Sequence, residues 1–283
     1  MSDLKQQLRR VAKDLLPPIV VRHLPRPKPV SPAPMFTGDY RTYEDAVRAT
    51  GSAGYEDPGV IEKMMRATRE RRDQAAALGR VVPDSRSFQI LTAFLVALDG
   101  PAPTTLRVLD FGGGAGLHYF TLAPLLSERI QLSWTVCEVP SMARAARDAF
   151  GSPALRFVEG MDAVAAERFH VVLASGSLQY APDPAALWRQ IARSTDVLIV
   201  NRTPFTDAAA DRLTVQTVPV AGGEARYPAW FLSDPTWRHR FDEQGFRVDL
   251  RWNVPEDGAA TLDGAPVPFS GLVVRRAVRD AIP

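Results

Sequence analysis

From Leu106 onward, short apolar runs alternate with segments of helical periodicity. The runs Leu106 to Asp110, Leu132 to Glu138, Leu155 to Val158, Val171 to Ser175, Val197 to Asn201, Arg247 to Trp252 and Phe269 to Arg275 predict strands. The first is apolar but for Arg107 before Asp110, close to the pattern of a strand buried on both faces of a parallel sheet. Helices fit between them, over about Leu117 to Leu126, Ser141 to Phe150, Pro184 to Arg193 and Asp234 to Gln244. Such regular alternation predicts an α/β fold with a doubly wound sheet. The last two strands are joined by a Pro- and Gly-rich segment without helical pattern, so they are expected to form an antiparallel pair.

Upstream the pattern is helical from Met35 to Thr105. Thr42 is a natural N-cap for a helix over Tyr43 to Thr50, with Glu44 and Asp45 in its first turn and Gly51 to Gly54 closing it. Asp57-Pro58 opens a second helix with proline at N1, running to about Leu78. Asp84 or Ser85 caps a third, whose stripe of Phe88, Leu91, Phe94, Leu95 and Leu98 is expected to be core against the sheet. The first thirty residues differ. Leu4, Leu8, Val11, Leu15 and Leu16 recur at helical spacing among Lys5, Arg9, Arg10 and Lys13, and seven Lys or Arg stand against two Asp. A basic amphipathic helix of this kind can lie on an anionic membrane or dock on its own domain or a partner. Pro25 to Pro34 then reads as an extended linker. The chain thus divides into 1–35, a helical extension and linker; 36–104, a helical cap region; and 105–283, the sheet-bearing core.

Composition changes little in this picture. The 283 residues suffice to bury a core, and a net charge of +2 with interspersed signs gives no general nucleic-acid binder. One cysteine, Cys137, excludes an internal disulfide framework and a Cys-based zinc site, and the four histidines show no metal-ligand spacing. No apolar run reaches the roughly 18 residues of a transmembrane helix. The N-terminus has no signal-peptide pattern, so a cytoplasmic location is expected, with residues 1–24 the candidate for peripheral membrane contact.

The chemistry concentrates at the first strand's end, where LRVLDFGGGAG places Asp110, Gly112, Gly113, Gly114 and Gly116 in a glycine-rich turn. Leu117 stands where a dinucleotide fingerprint has its third glycine, which favours S-adenosylmethionine over NAD. Glycines let bare backbone approach a ligand, and the following helix offers unpaired N–H groups to a carboxylate. In doubly wound sheets ligands bind at the carboxyl ends of the strands. Glu138, at the second strand's end, can accept from both ribose hydroxyls; Asp162, beside Met161, can meet an adenine amino group or belong to an ordinary turn. His118 can take a proton at physiological pH or simply pack at a helix start. Ser175, Gln179 and Tyr180 follow the fourth strand, where Tyr180 can orient an acceptor or wall the cleft. Arg202 can clamp a phosphate or carboxylate, or form an ordinary salt bridge. Tyr227, Trp230 and Phe231 can form a platform for a sugar ring or pack as core.

DFGGGAG, CE at 137–138, EGMD at 159–162 and FHVVLASGSLQYAPDPAALWRQI at 169–191 resemble the class I S-adenosylmethionine-dependent methyltransferases. The resemblance spans about residues 105 to 283. It implies a Rossmann-like seven-stranded sheet with an antiparallel last strand. It also implies Asp110, Gly112, Gly114 and Gly116 around the methionyl part, Glu138 on the ribose and Met161 with Asp162 near adenine; Gly113 and Ser175 are further cofactor-binding candidates. His170 departs from the family, which usually has an acidic residue there. More narrowly, FTGDYRTYEDA, SAGY, NRTPF and YPAWFLS resemble methyltransferases associated with bacterial surface-polysaccharide synthesis. The expected activity is O-methylation of a saccharide or small-molecule hydroxyl, with His118, Tyr180 and Arg202 as catalytic candidates. A silent nucleoside-binding scaffold and an NAD-dependent oxidoreductase are the alternatives.

Overall fold

The computed structural model describes residues 35–51, 56–78, 84–98, 103–126, 130–220 and 223–277. The predicted N-terminal helix and the Pro-rich linker Pro25 to Pro34 lie outside them. The described residues belong to one compact unit, within Pro34–Pro283.

Strands β2 (Thr105–Phe111), β3 (Gln131–Glu138), β4 (Leu155–Glu159), β5 (Val171–Ser175) and β6 (Val197–Thr206) pair in parallel in the order β4-β3-β2-β5-β6. Strand β11 (Ala265–Arg276) inserts antiparallel beside β6 and carries β9 (Phe246–Asn253) on its far edge. These seven strands form the expected Rossmann-like sheet, with the last strand reversed. The reversal at β2, whose neighbours β3 and β5 wind away in opposite directions, puts the switch point at the glycine turn.

Side chains alternate between two cores as the pleat dictates. On one face Val108, Leu173 and Ile199 pack against α3 (Ser85–Ala97), α4 (Leu117–Leu126) and α5 (Pro140–Phe150). On the other, Leu109, Val172 and Leu198 meet α6 (Pro184–Ser194) and α7 (Asp234–Glu243) through Trp188, Trp237 and Phe241.

Two expectations need correction upstream. Residues 36–104 are not wholly helical: β1 (Phe36–Tyr40) precedes α1 (Tyr43–Thr50) and α2 (Pro58–Leu78). Thr42 and Asp84 do cap α1 and α3 through their side chains. The apolar stripe of α3 is rotated from the predicted one. Ser87, Ile90, Ala93, Phe94 and Ala97 face inward, while Phe88 and Leu95 are exposed, because small residues let the helix approach β6 and β11 closely.

A further ribbon was not expected. Strands β7 (Arg212–Val220) and β8 (Gly223–Ser233) form an antiparallel pair, β1 joins the outer edge of β7, and the end of β8 joins the end of β6. The short strand β10 (Ala259–Leu262) pairs with the start of β11.

Candidate active site

The ribbon, α2 and the carboxyl ends of β2, β3, β5 and β6 enclose one cavity of about 740 Å³, within the size range of small-molecule sites. Gly112, Gly113, His118, Glu138, Ser175, Tyr180 and Arg202 line it.

The glycine turn is shaped by close contacts. Gly112 has φ +65°, and a Cβ there would overlap that of Ser177; its N–H donates to the Cys137 carbonyl at 2.8 Å. A Cβ on Gly113 would strike the Asp110 carboxylate. That carboxylate is fully buried, with His118 Nδ1 at 3.1 Å and the Trp134 indole N–H at 3.3 Å. Asp110 therefore sits behind the turn and shapes it, outside the cavity wall. Gly114 and Gly116 also lie outside the wall, with Gly114 beneath Met64 of α2 and Gly116 against Phe157.

Glu138 closes the cradle. Its Oε1 accepts the Gly114 N–H at 2.8 Å and its Oε2 accepts the Val139 N–H at 2.9 Å. Burial pushes its carboxyl above the ordinary value, the two N–H groups pull it down in part, and the Asp110 charge raises it again. Each carboxylate oxygen has a second acceptor position, so the group can still receive two hydroxyls. Glu159 and Gly160 continue the wall, whereas Met161 packs into the second core and Asp162 is outside the wall. Neighbouring Cys137 has its thiol pushed up to about 12, chiefly by burial and then by the Glu138 charge. Because the thiolate is the reactive form, a disulfide-exchange reagent at pH near 8 is expected to leave folded protein unlabelled and to label it stoichiometrically in denaturant. Rapid labelling of the folded chain would contradict this burial.

The far end of the cavity is built from elements remote in sequence. Tyr180 donates its hydroxyl to Gln216 Oε1 at 2.7 Å and meets Tyr227 edge-on, ring centroids 5.2 Å apart. Of the predicted aromatic platform only Tyr227 lines the cavity. Trp230 donates to the Ala181 carbonyl, and Phe231 is buried against Phe36. Arg202 has φ +55°, unusual for a non-glycine residue, at an irregularity where β6 pairs with β11. Its guanidinium is held by Asp257 at 2.7 Å, and Arg86 of α3 holds the same carboxylate at 2.6 Å. The salt bridge is thus formed, and Arg202 is not an unpaired anion clamp. Asp257, Gln216 and Phe269 also line this end and carried no sequence signal. His170 is distant from it, accepting the Arg107 N–H at the start of β5.

Residues 81–250 match a family model described as a methyltransferase domain. The chain belongs to that family. It is an S-adenosylmethionine-dependent methyltransferase, and the cradle suits this cofactor: bare backbone at Gly112 and Gly113, and a carboxylate with spare acceptor capacity at Glu138. No curated protein matches the methyltransferase. Among solved structures it is similar to the Burkholderia thailandensis 1,6-didemethyltoxoflavin-N1-methyltransferase, at 18% identity and TM-score 0.46 over 87% of this chain and 95% of that one. It is similar also to the glycopeptide N-methyltransferase MtfA, at 18% and 0.46 over 66% and 93%, and to the CcbJ methyltransferase from Streptomyces caelestis, at 17% and 0.46 over 71% and 92%. Among the described residues no helix is long and apolar enough to cross a membrane, and no group of three His, Cys, Asp or Glu is placed to hold a metal ion.

Proposed function

We propose that the enzyme methylates a hydroxyl of a saccharide or similar small molecule, with Glu138 on the cofactor ribose and His118 as general base. The observation that carries this is the pairing of His118 with buried Asp110 at the cavity wall. An ionised carboxylate can only accept, so it places the imidazole proton on Nδ1 and leaves Nε2 to accept another. Other acidic groups in the wall are engaged: Asp257 by two arginines and Glu159 by Arg144 and Arg147.

The cofactor's sulfonium supplies an activated methyl group. The chain's own residues then bind and orient. Gly112 and Gly113 expose backbone to the methionyl part, Glu138 fixes the ribose, and Tyr180 and Tyr227 wall the acceptor. When the acceptor oxygen receives the methyl group that a bound cofactor would supply, its proton would pass to His118 Nε2. Positioning provides most of the acceleration and the base the remainder. Tyr180 and Arg202 serve as positioning residues in this scheme.

The test is incubation with isotopically methyl-labelled cofactor and a panel of glycosides, amines and phenols, with the product's methylated atom assigned by NMR. Label on oxygen supports the proposal, and label on nitrogen alone overturns it. In His118→Ala, S-adenosylhomocysteine affinity is expected to stay within about threefold while kcat falls by about 10²–10⁴. Unchanged kcat would remove the base assignment.

The raised Glu138 carboxyl adds a pH signature. Because the folded state holds this proton more tightly than the unfolded chain, the group's contribution to stability is fully present below the ordinary carboxylate pKa. It is lost as pH rises through the raised folded value. Ligand affinity runs the opposite way, since ribose hydroxyls donate best to the carboxylate. S-adenosylhomocysteine binding should therefore weaken on acidification above the ordinary carboxylate range, with proton release on binding measurable by calorimetry in buffers of different ionisation enthalpy. Glu138→Gln should abolish the release.

A further inference from the structure

The β7–β8 ribbon brings one amide into an otherwise apolar stretch of the cavity wall. Gln216 is buried between Val215 and Thr217 on β7, and its neighbours around the cavity are Val218, Tyr180, Tyr227, Phe269 and Met35. A buried amide in such a setting costs free energy unless its hydrogen-bonding groups are used. Its Oε1 is used well, by the Tyr180 hydroxyl at 2.7 Å. Among the described residues its Nε2 has only the Met35 sulfur, at 3.2 Å, and a thioether is a weak acceptor. The Met35 sulfur, which can accept but not donate, favours the orientation with the N–H side of the amide towards it, and the Tyr180 hydroxyl then donates to Oε1. The outcome is a fixed, donor-only head with unspent hydrogen-bonding capacity at the end of the cavity away from the glycine turn.

The charges at that end point the same way. Among the described residues, Arg202 and Asp257 are the charged ones lining it, and they are paired with one another, with Arg86 adding a second partner to the carboxylate. A phosphate or carboxylate on the acceptor would have to break this pair to find a counter-charge. An uncharged hydroxylated ring need not. Its oxygen can accept from Gln216 Nε2 while its apolar faces lie against Tyr227 and Phe269, the usual mixture of aromatic wall and a few polar groups in small-molecule sites.

We infer that Gln216, held by Tyr180, is the acceptor-reading residue of this enzyme and selects an uncharged, hydroxylated ring. The inference rests on the methyl-transfer proposal above, because it takes the far end of the cavity as the acceptor's place. It assigns a task to the ribbon beyond its pairing with the end of β6.

Saturation-transfer difference NMR tests it on the full-length protein saturated with S-adenosylhomocysteine. The probes are methyl α-D-glucopyranoside and methyl α-D-mannopyranoside, beside their uronate and 6-phosphate counterparts. The neutral glycosides are expected to give transfer and the charged ones little. Gln216→Leu, which keeps the side-chain volume, should weaken the neutral glycosides by about tenfold, and Gln216→Glu, nearly isosteric but without the N–H donors, by a similar factor. Both variants should bind S-adenosylhomocysteine within twofold of the parent by calorimetry, a readout that general misfolding would not spare. Transfer only from the charged probes, no transfer from the neutral ones, or parental binding in both variants would overturn the inference. Failure of the parent to bind S-adenosylhomocysteine would instead overturn the methyl-transfer proposal beneath it.

Discussion

Glu138→Ala is expected to weaken S-adenosylhomocysteine binding by about 10- to 100-fold. The proposed contacts from the two ribose hydroxyls end on a carboxylate, and one hydrogen bond to a charged group contributes about 1.5–3 kcal/mol, roughly that factor in affinity. The substitution acts on the apo protein too. The Gly114 N–H loses its acceptor, so the turn that presents Gly112 and Gly113 loses one of its ties to β3 and keeps the Gly112 bond to the Cys137 carbonyl. Glu138→Gln keeps an acceptor for one of these donors and should fall between the parent and the alanine variant. Calorimetric titration of the three proteins checks the order, and equal affinities would place the ribose elsewhere.

Gly113→Ala should be nearly as damaging, for a steric reason. The added methyl falls on the Asp110 carboxylate, which is buried and held by His118 and Trp134. Since the carboxylate cannot step aside, the turn must. Overpacking of this kind costs about 1–3 kcal/mol of stability, and displacement of the turn moves the backbone that faces the ligand. The expected result is a lower melting temperature together with loss of S-adenosylhomocysteine binding by at least about tenfold. Asp110→Ala in the same chain makes room for the methyl, so the double variant should be less unstable than the sum of the singles. Strict additivity would show that the close approach is not what fixes glycine at 113.

The glycine turn and the seven core strands were legible because the physics there is local. Strands buried on both faces write themselves as unbroken apolar runs, as in Val171 to Ala174, and the turn writes itself in glycine. The acceptor end was not legible, for equally physical reasons. Gln216 points a polar group inward from β7, and Pro219 and Pro228 interrupt the ribbon, so neither strand shows a clean alternation. Site demands override pattern in places like this. Arg202 adopts its left-handed conformation only because β6 meets β11 irregularly there, a pairing set by residues some seventy positions away. Asp257 lies in the Pro- and Gly-rich connection after β9, where no periodicity marks the arginines that converge on it. On α3, Phe88 and Leu95 extend the apolar stripe in sequence yet stay outside, because hydrophobicity alone does not say which side of a broad stripe meets the sheet.

Glu138 and the Gly112–Gly113 backbone together make the central claim a matter of ligand choice. Titration calorimetry of the intact protein with S-adenosylhomocysteine, followed by NAD, measures it most directly. Saturable one-to-one binding of the first and none of the second is the predicted result. Binding of NAD, or no binding of S-adenosylhomocysteine to folded protein, would contradict the assignment of this cradle.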